Sequence, residues 1–474
     1  MSSTSAVPYD VPSTPFLLIL ASFLYLINVA DQLANRFLHA GLLGPLLIGI
    51  VYGPAAANLL TPSLQSTLIS LGYIGLLLLV LEAGLTTSPD TLAPHLPLAL
   101  AVACTGVVLP IALSLALLHG AYAYPLLTAF AAGAALCSTS LGTTLSLLAP
   151  PLRKTQVGAV LLGAALIDDV AGLVIAGIVA PLAADSDMGV SWQAVVRPIG
   201  VSLAFAAGAP LIAWGARWAV GERIQFRGEY AQLLIVVASG CGAVAGAQYS
   251  GTSALFGAYL AGVALTFAFP PLDPPDTEKT EHTPAPEPTY DLCTPDIAFG
   301  MHITPILTRL LAPIFFASIG AALPMRELFA SGRVVGRGIG YAVLMVAAKF
   351  VVGSWIFAPS HGQGYPAASL PSANSTADVR ATMAETLTQP ALARSPMDSE
   401  PPLSRMTRTR AALLLGTAMV ARGEIALIVA QIARPLLVTG GAGEEAYTVV
   451  IWAVLVSTVL GAVGVGWVVR GVDV

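Results

Sequence analysis

Apolar residues run through this chain in long blocks, not in the alternation of strands or the one-sided stripes of soluble helices. Thirteen blocks fall at 14–30, 41–58, 64–86, 96–119, 125–148, 155–183, 191–216, 228–248, 250–269, 303–323, 334–357, 407–433 and 446–469. Each is about the length that a helix needs to cross a hydrocarbon layer roughly 30 Å thick. The pattern predicts an all-α polytopic membrane protein with about thirteen transmembrane helices. Most joins are short and marked by Pro, Gly or charge, as at Pro89, Pro125, Pro150-Pro151 and Pro324. Two are not. Residues 270–302 and 358–406 are rich in Pro, Ser, Thr and acids, too polar to pack, and read as disordered loops. The chain therefore divides into spans one to nine (1–269), a polar loop (270–302), spans ten and eleven (303–357), a second polar loop (358–406) and spans twelve and thirteen (407–474).

Composition agrees with that division. Of 474 residues, 56% are hydrophobic and 10% charged, and the mean hydropathy is +0.80, whereas a soluble domain carries about 25% charged residues. Cys104, Cys137, Cys241 and Cys293 are scattered without CxxC spacing, which supports neither a disulfide framework nor a zinc site. A net charge of −5 spread over loops excludes nucleic acid as a natural partner and leaves the lipid bilayer as the main one. The N-terminal stretch lacks the positive region of a signal peptide, so the first block is expected to be a retained span. With the N-terminus outside and the C-terminus cytoplasmic, fourteen Lys and Arg lie on the inner side and five on the outer, the bias that sets orientation. Lys349 and Arg422 remain within spans.

The sixth span holds the most informative residues, Asp168 and Asp169, in GAALIDDVAGLVIAG. One acid at bilayer depth costs roughly 2.5–3.5 kcal/mol, and two in succession also repel each other. Such a pair is expected to hold a cation, pass a proton, or do both in competition. Neighbours on a helix point about 100° apart, so the two carboxylates face different surroundings. Gly163, Ala164, Ala165, Ala171, Gly172 and Gly177 would let other helices come close. Lys349, in YAVLMVAAKFVVGSW, is available to neutralise a carboxylate or to titrate with the cycle, the plainer alternative being that it reaches for the interface.

The fifth span carries a polar knot, Ser138, Thr139 and Ser140 before Gly142, and the twelfth carries Arg422 and Glu424 around Gly423. Hydroxyls in membrane helices often bond their own backbone, but three in a row before Gly suit a broken helix whose freed oxygens coordinate a cation. Arg422 and Glu424 would not face each other on an intact helix; a break at Gly416 or Gly423 would set each charge near a half-helix end. Paired interruptions in two halves of a chain point to a transporter built on inverted repeats. Glu82, near the end of the third span, is expected to reach the interface.

With those residues in place, the chain resembles the monovalent cation:proton antiporter family, in its second cation/proton antiporter branch of sodium/hydrogen exchanger-like proteins. The likeness rests on HAGLLGPLLIGIVYGP, LVLEAGL, the Ser138-Thr139 knot, the Asp168-Asp169 pair, TSALFGAYLAGVAL, APIFFASIGAAL, AAKFVVG and ARGEIAL, in that order along nearly all the spans. It implies an inverted-repeat fold with crossed discontinuous helices, a dimerisation domain and hence a homodimer. It also implies that Asp169 takes the monovalent cation or proton, that Asp168 pairs with Lys349, and that Ser138 or Thr139 adds an oxygen. The double acid resembles the electrogenic members. The reading is thus a secondary Na+ or K+/proton antiporter needing no cofactor. Its rival is a sodium-coupled organic-anion symporter of similar architecture, which the net acidic site disfavours. An intramembrane aspartyl protease, whose acids come from different helices, is disfavoured by adjacency, and no enzymatic activity is expected.

Overall fold

Proline, glycine and hydroxyl residues set where the helices begin and end. In the computed structural model, which describes residues 11–38, 40–87, 93–139, 155–184, 192–220, 228–269, 294–358, 407–438 and 444–470, the chain is nearly all helical. The principal helices are α1 (Thr14–Leu38), α2 (Leu43–Tyr52), α3 (Pro62–Leu85), α4 (Leu96–Ser114), α5 (Leu126–Ala135), α6 (Gln156–Ala184), α7 (Trp192–Val220) and α8 (Glu229–Ser250). They continue as α9 (Ala254–Ala268), α10 (Pro295–His302), α11 (Ala312–Ala322), α12 (Gly332–Phe350), α13 (Arg408–Val420), α14 (Glu424–Ile432) and α15 (Glu444–Arg470). Thr61, Ser331 and Thr407 cap α3, α12 and α13 by accepting from the backbone N–H three residues on, at 3.4, 3.2 and 3.4 Å. Gly251, with φ +88°, closes α8 in the left-handed conformation that a β-carbon disfavours.

Ten segments among the described residues are long and apolar enough to cross a membrane, and three shorter apolar helices accompany them, Leu43–Tyr52, Leu126–Ala135 and Ala254–Ala268. They fall within the expected second, fifth and ninth blocks, each shorter than the apolar block that encodes it. Gly53, in extended conformation before Pro54, ends α2, and the turn at Gly251–Ser253 delays α9. The fifth leaves helix after Ala135, and 140–154, including Ser140 and Gly142, lie outside the described residues. The polar loop expected over 270–302 ends early. Thr294 is extended before Pro295, which suits a first helical turn, and Ala298 and Phe299 are buried, giving α10 an apolar side that packs on α8 and α3. Residues 270–293 and 359–406 lie outside the description.

Two groups of helices result. α1, α2, α3, α8, α9 and α11 pack mainly on one another, while α4, α5, α6, α12, α13, α14 and α15 form the other group, with α7 and α9 touching α6 across the boundary. Backbones in the first group come into direct contact: a β-carbon on Gly49 would lie 2.0 Å from the Ala317 carbonyl oxygen, and one on Gly84 2.2 Å from that of Tyr259. Large apolar side chains face outward, Trp214 and Trp218 of α7 being 72% and 82% exposed. In a soluble protein such a surface would drive association; against lipid it is the expected finish.

Candidate ion-binding site

The second helix group is built around an interruption. α13 stops at Val420, Ala421 to Gly423 are not helical, and α14 starts at Glu424. The break falls at Gly423 (φ −138°, ψ −145°) and not at Gly416, which is helical and packs directly on the Phe350 carbonyl oxygen, 2.6 Å from where its β-carbon would be. Unwinding exposes polar backbone at bilayer depth, and this is tolerated only where protein satisfies it. Here α15 closes over it: Thr458 Oγ1 lies 3.0 Å from the Arg422 carbonyl oxygen and 2.7 Å from that of Val454, its one proton serving either, and Gly461 lets α15 lie against Ala421. α5 ends in the same place, its chain leaving helix over Leu136 to Thr139.

The end of α5 is tied to the break in the twelfth span. Arg422 is fully buried and its Nη1 donates to the Ser138 carbonyl oxygen at 2.6 Å. Its Nε and Nη2 have no hydrogen-bond partner among the described residues. The carbonyl that unwinding frees at Ser138 is thus already taken by a charged donor, a bond roughly twice as strong as a neutral one. What Ser138 still offers is its side chain. Glu424 opens α14, and its side chain lies outside the description.

Beside this junction α6 presents its two carboxylates to different partners. Asp168 is fully buried, pairs with the Lys349 ammonium of α12 and accepts from the Thr139 hydroxyl at 2.8 Å. Lys349, also fully buried, donates in turn to Thr139 Oγ1 at 2.9 Å. Thr139 Oγ1 stands 3.2 Å from the Met419 carbonyl oxygen as well, and with one proton to give, the hydroxyl serves either the carboxylate or that carbonyl. Asp168 Oδ1 has no hydrogen-bond partner among the described residues. Asp169 keeps 9% of its surface and meets the Ser138 hydroxyl at 3.5 Å, the outer limit of a hydrogen bond.

The small residues of α6 work as expected where the structure describes them: a β-carbon on Gly172 would lie 2.9 Å from Ser138 Cβ and 3.0 Å from Ile425. One contributor has no sequence signal. Gly106 of α4 forms the floor under the ion pair, a β-carbon there falling 3.1 Å from Lys349 Nζ. Glu82 belongs to the other helix group, where it accepts from Thr304 at 2.6 Å.

Chemically, the site holds one carboxylate neutralised by an ammonium and a second, slightly accessible one beside a hydroxyl. That is the equipment for binding a small cation in competition with a proton. Comparisons with known proteins agree. The chain is 23% identical over 459 residues to the Na(+)/H(+)-K(+) antiporter GerN of Bacillus cereus, covering 94% of each chain. It is 34% identical over 131 residues to the high-affinity Na(+)/H(+) antiporter NhaS3 of Synechocystis, covering 27% of this chain and 28% of that one. The fold is that of the sodium proton antiporter MjNhaP1 of Methanocaldococcus jannaschii, with a TM-score of 0.59 at 14% identity over 94% of this chain and 98% of that one. The profile of transmembrane sodium/hydrogen exchangers matches residues 18–471, and the chain belongs to that family of transporters, a multi-pass integral membrane protein.

Proposed function

We propose that this protein exchanges a monovalent cation, Na+ or K+, for protons by exposing Asp169 alternately to the two sides of the membrane. Adjacent carboxylates held in unlike ways are the observation that carries the reading. Asp169 binds cation or proton, with Ser138 Oγ as a neighbouring oxygen. Coupling follows from competition, because a bound cation displaces the proton and an empty anionic site is too costly to bring through an apolar gate. Asp168 and Lys349 neutralise each other in the resting state. When cation binding draws on Asp168, Lys349 gives up its proton, and the cycle carries net charge. Arg422 keeps the two broken spans together so that the coordinating side chains hold their places.

The protein sits with its N-terminus outside and its C-terminus in the cytoplasm, as the distribution of Lys and Arg indicates, and works as a homodimer. The symporter alternative finds no support among the relatives, whose names are those of antiporters.

Proteoliposomes with an acid interior test the reading. Adding Na+ or K+ outside should dissipate the pH gradient, whichever of the two is the substrate acting at the lower concentration. A gradient unmoved by either cation would overturn the proposal.

A further inference from the structure

α4 and α12 pack along each other and share two rungs at matching distances. At the first, Gly106 of α4 makes room for the ion pair: its β-carbon would lie 3.1 Å from Lys349 Nζ and 3.4 Å from each Asp168 oxygen. At the second, Ser114 and Tyr341 place their hydroxyl oxygens 2.6 Å apart. From the first rung to the second, α4 advances from 106 to 114 while α12 goes back from 349 to 341, as antiparallel helices require. At about 1.5 Å per residue the rungs stand roughly 12 Å apart. Between them lies Met345, its sulfur 3.8 Å from Ser114 Oγ.

Ser114 and Tyr341 are fully buried. Ser114 Oγ also lies 2.7 Å from the Pro110 carbonyl oxygen, so its single proton goes there and the Tyr341 hydroxyl donates to Ser114. Contacts among apolar side chains fix the register of membrane helices weakly, whereas a buried hydrogen bond is satisfied in one register only. A second bond, from Trp355 Nε1 to Thr105 Oγ1 at 3.0 Å, lies beyond Lys349 at the partly exposed end of the pair.

We infer that Ser114 and Tyr341 are positioning residues, holding α12 in the register that seats Lys349 on Asp168 and so setting the proton side of the exchange and not its cation affinity. The inference rests on the reading that Asp169 binds the cation and Lys349 releases a proton. Among the described residues, Lys349 feels the charges of Asp168 on α6, Arg422 in the break of the twelfth span and Cys137 after α5, and Gly106 of α4 lies against its ammonium. Tyr341 itself lies within electrostatic reach of Arg422 and Cys137, and the Cys137 thiol donates to the Ala134 carbonyl at 3.1 Å. Removing the Tyr341 hydroxyl takes away no charge, so any effect on proton handling reaches Lys349 through its placement.

The test is cation-dependent proton flux in proteoliposomes, measured across pH and cation concentration for Tyr341→Phe, Ser114→Ala and Ser114→Thr. In the first two the midpoint of the pH profile should move by about one unit, a tenfold change in proton affinity, while the apparent Km at the optimum stays within about twofold. Ser114→Thr, which keeps a hydroxyl, should restore the original midpoint. An unmoved midpoint in Tyr341→Phe, with Asp169→Asn inactive, rejects the pin and leaves the cation site standing; transport by Asp169→Asn rejects the cation site itself. Failure of both hydroxyl-deleting variants to fold assigns the pair to stability alone and overturns the inference too.

Discussion

Asp168 and Asp169 are the same residue, one position apart on one helix, and the structure treats them differently. On one side of α6 a carboxylate with no exposed surface is held by an ammonium and a threonine hydroxyl. On the other, a carboxylate with 9% of its surface accessible stands at the limit of reach of a serine. A helix turns about 100° per residue, and that rotation alone sends the two acids into separate environments. Residue type says that a charge is present; the neighbouring helices decide what the charge can do.

The comparison breaks first at Asp169. Asp169→Asn should abolish cation-dependent proton flux with the protein still folded, as read by flux in proteoliposomes and by thermal melting in detergent; near-normal flux would assign transport to another group. Next comes the neutralised side. Lys349→Gln strands Asp168 without its cation and should cost about 3–5 kcal/mol of stability, whereas adding Asp168→Asn to it should recover most of that loss. If the double variant transports, its rate should ignore an imposed membrane potential. Voltage dependence equal to the parent's would remove the pair from the charge-carrying step.

Acid sharpens the Asp169 side. Since proton and cation compete for one carboxylate, the apparent Km should rise about tenfold for each pH unit below the site's pKa, with the maximal rate kept at saturating cation. A fall in maximal rate at constant Km would point to a separate inhibitory site. The hydroxyls then divide the labour: Ser138→Ala should raise the cation Km by about five- to tenfold, the worth of one hydrogen bond or ligand. Thr139→Ala should leave the Km and alter voltage sensitivity instead. The smallest effect is expected where the same chemistry meets solvent. Arg434 and Glu444 stand 3.1 Å apart with 42% and 40% of their side chains exposed, and Glu444→Gln should shift the melting temperature by no more than a loss of about 1 kcal/mol would.

Much of the candidate site could be read from the chain because charges are rare in apolar blocks. Asp168, Asp169, Lys349 and Arg422 stand out on that ground, and a break at Gly416 or Gly423 is expected because Arg422 and Glu424 cannot share a helix face; only the structure places it at Gly423. Partners were harder to see. Thr139 meets Lys349 across 210 positions and Arg422 meets Ser138 across 284, distances at which no local pattern speaks. From composition alone Ser138 and Thr139 look equivalent, yet Arg422 occupies the carbonyl of one while Lys349 and Asp168 occupy the hydroxyl of the other. Apolar sequence continues past the end of α2 and begins before the start of α9, so each block is longer than its helix. α10 has no sequence signal because its buried face is only three residues, Pro295, Ala298 and Phe299, in a stretch that otherwise reads as polar.

The glycine contacts of the first helix group bear on genetics. Gly49 meets α11 and Gly320 meets α2 in return, their β-carbons falling 2.0 and 2.1 Å from backbone oxygens; Gly84 and Gly262 do the same between α3 and α9, at 2.2 and 2.4 Å. Backbone cannot swing aside as a side chain can, so even alanine at these places forces two helices apart. A random screen for loss of transport should therefore collect alleles at two kinds of locus. Hits at Asp169 would yield normal amounts of silent protein, and hits at these glycines would yield little protein at all. Second-site suppressors of the glycine alleles would arise on the facing helix, so the map of compensating mutations would trace which helices touch without reference to any ion.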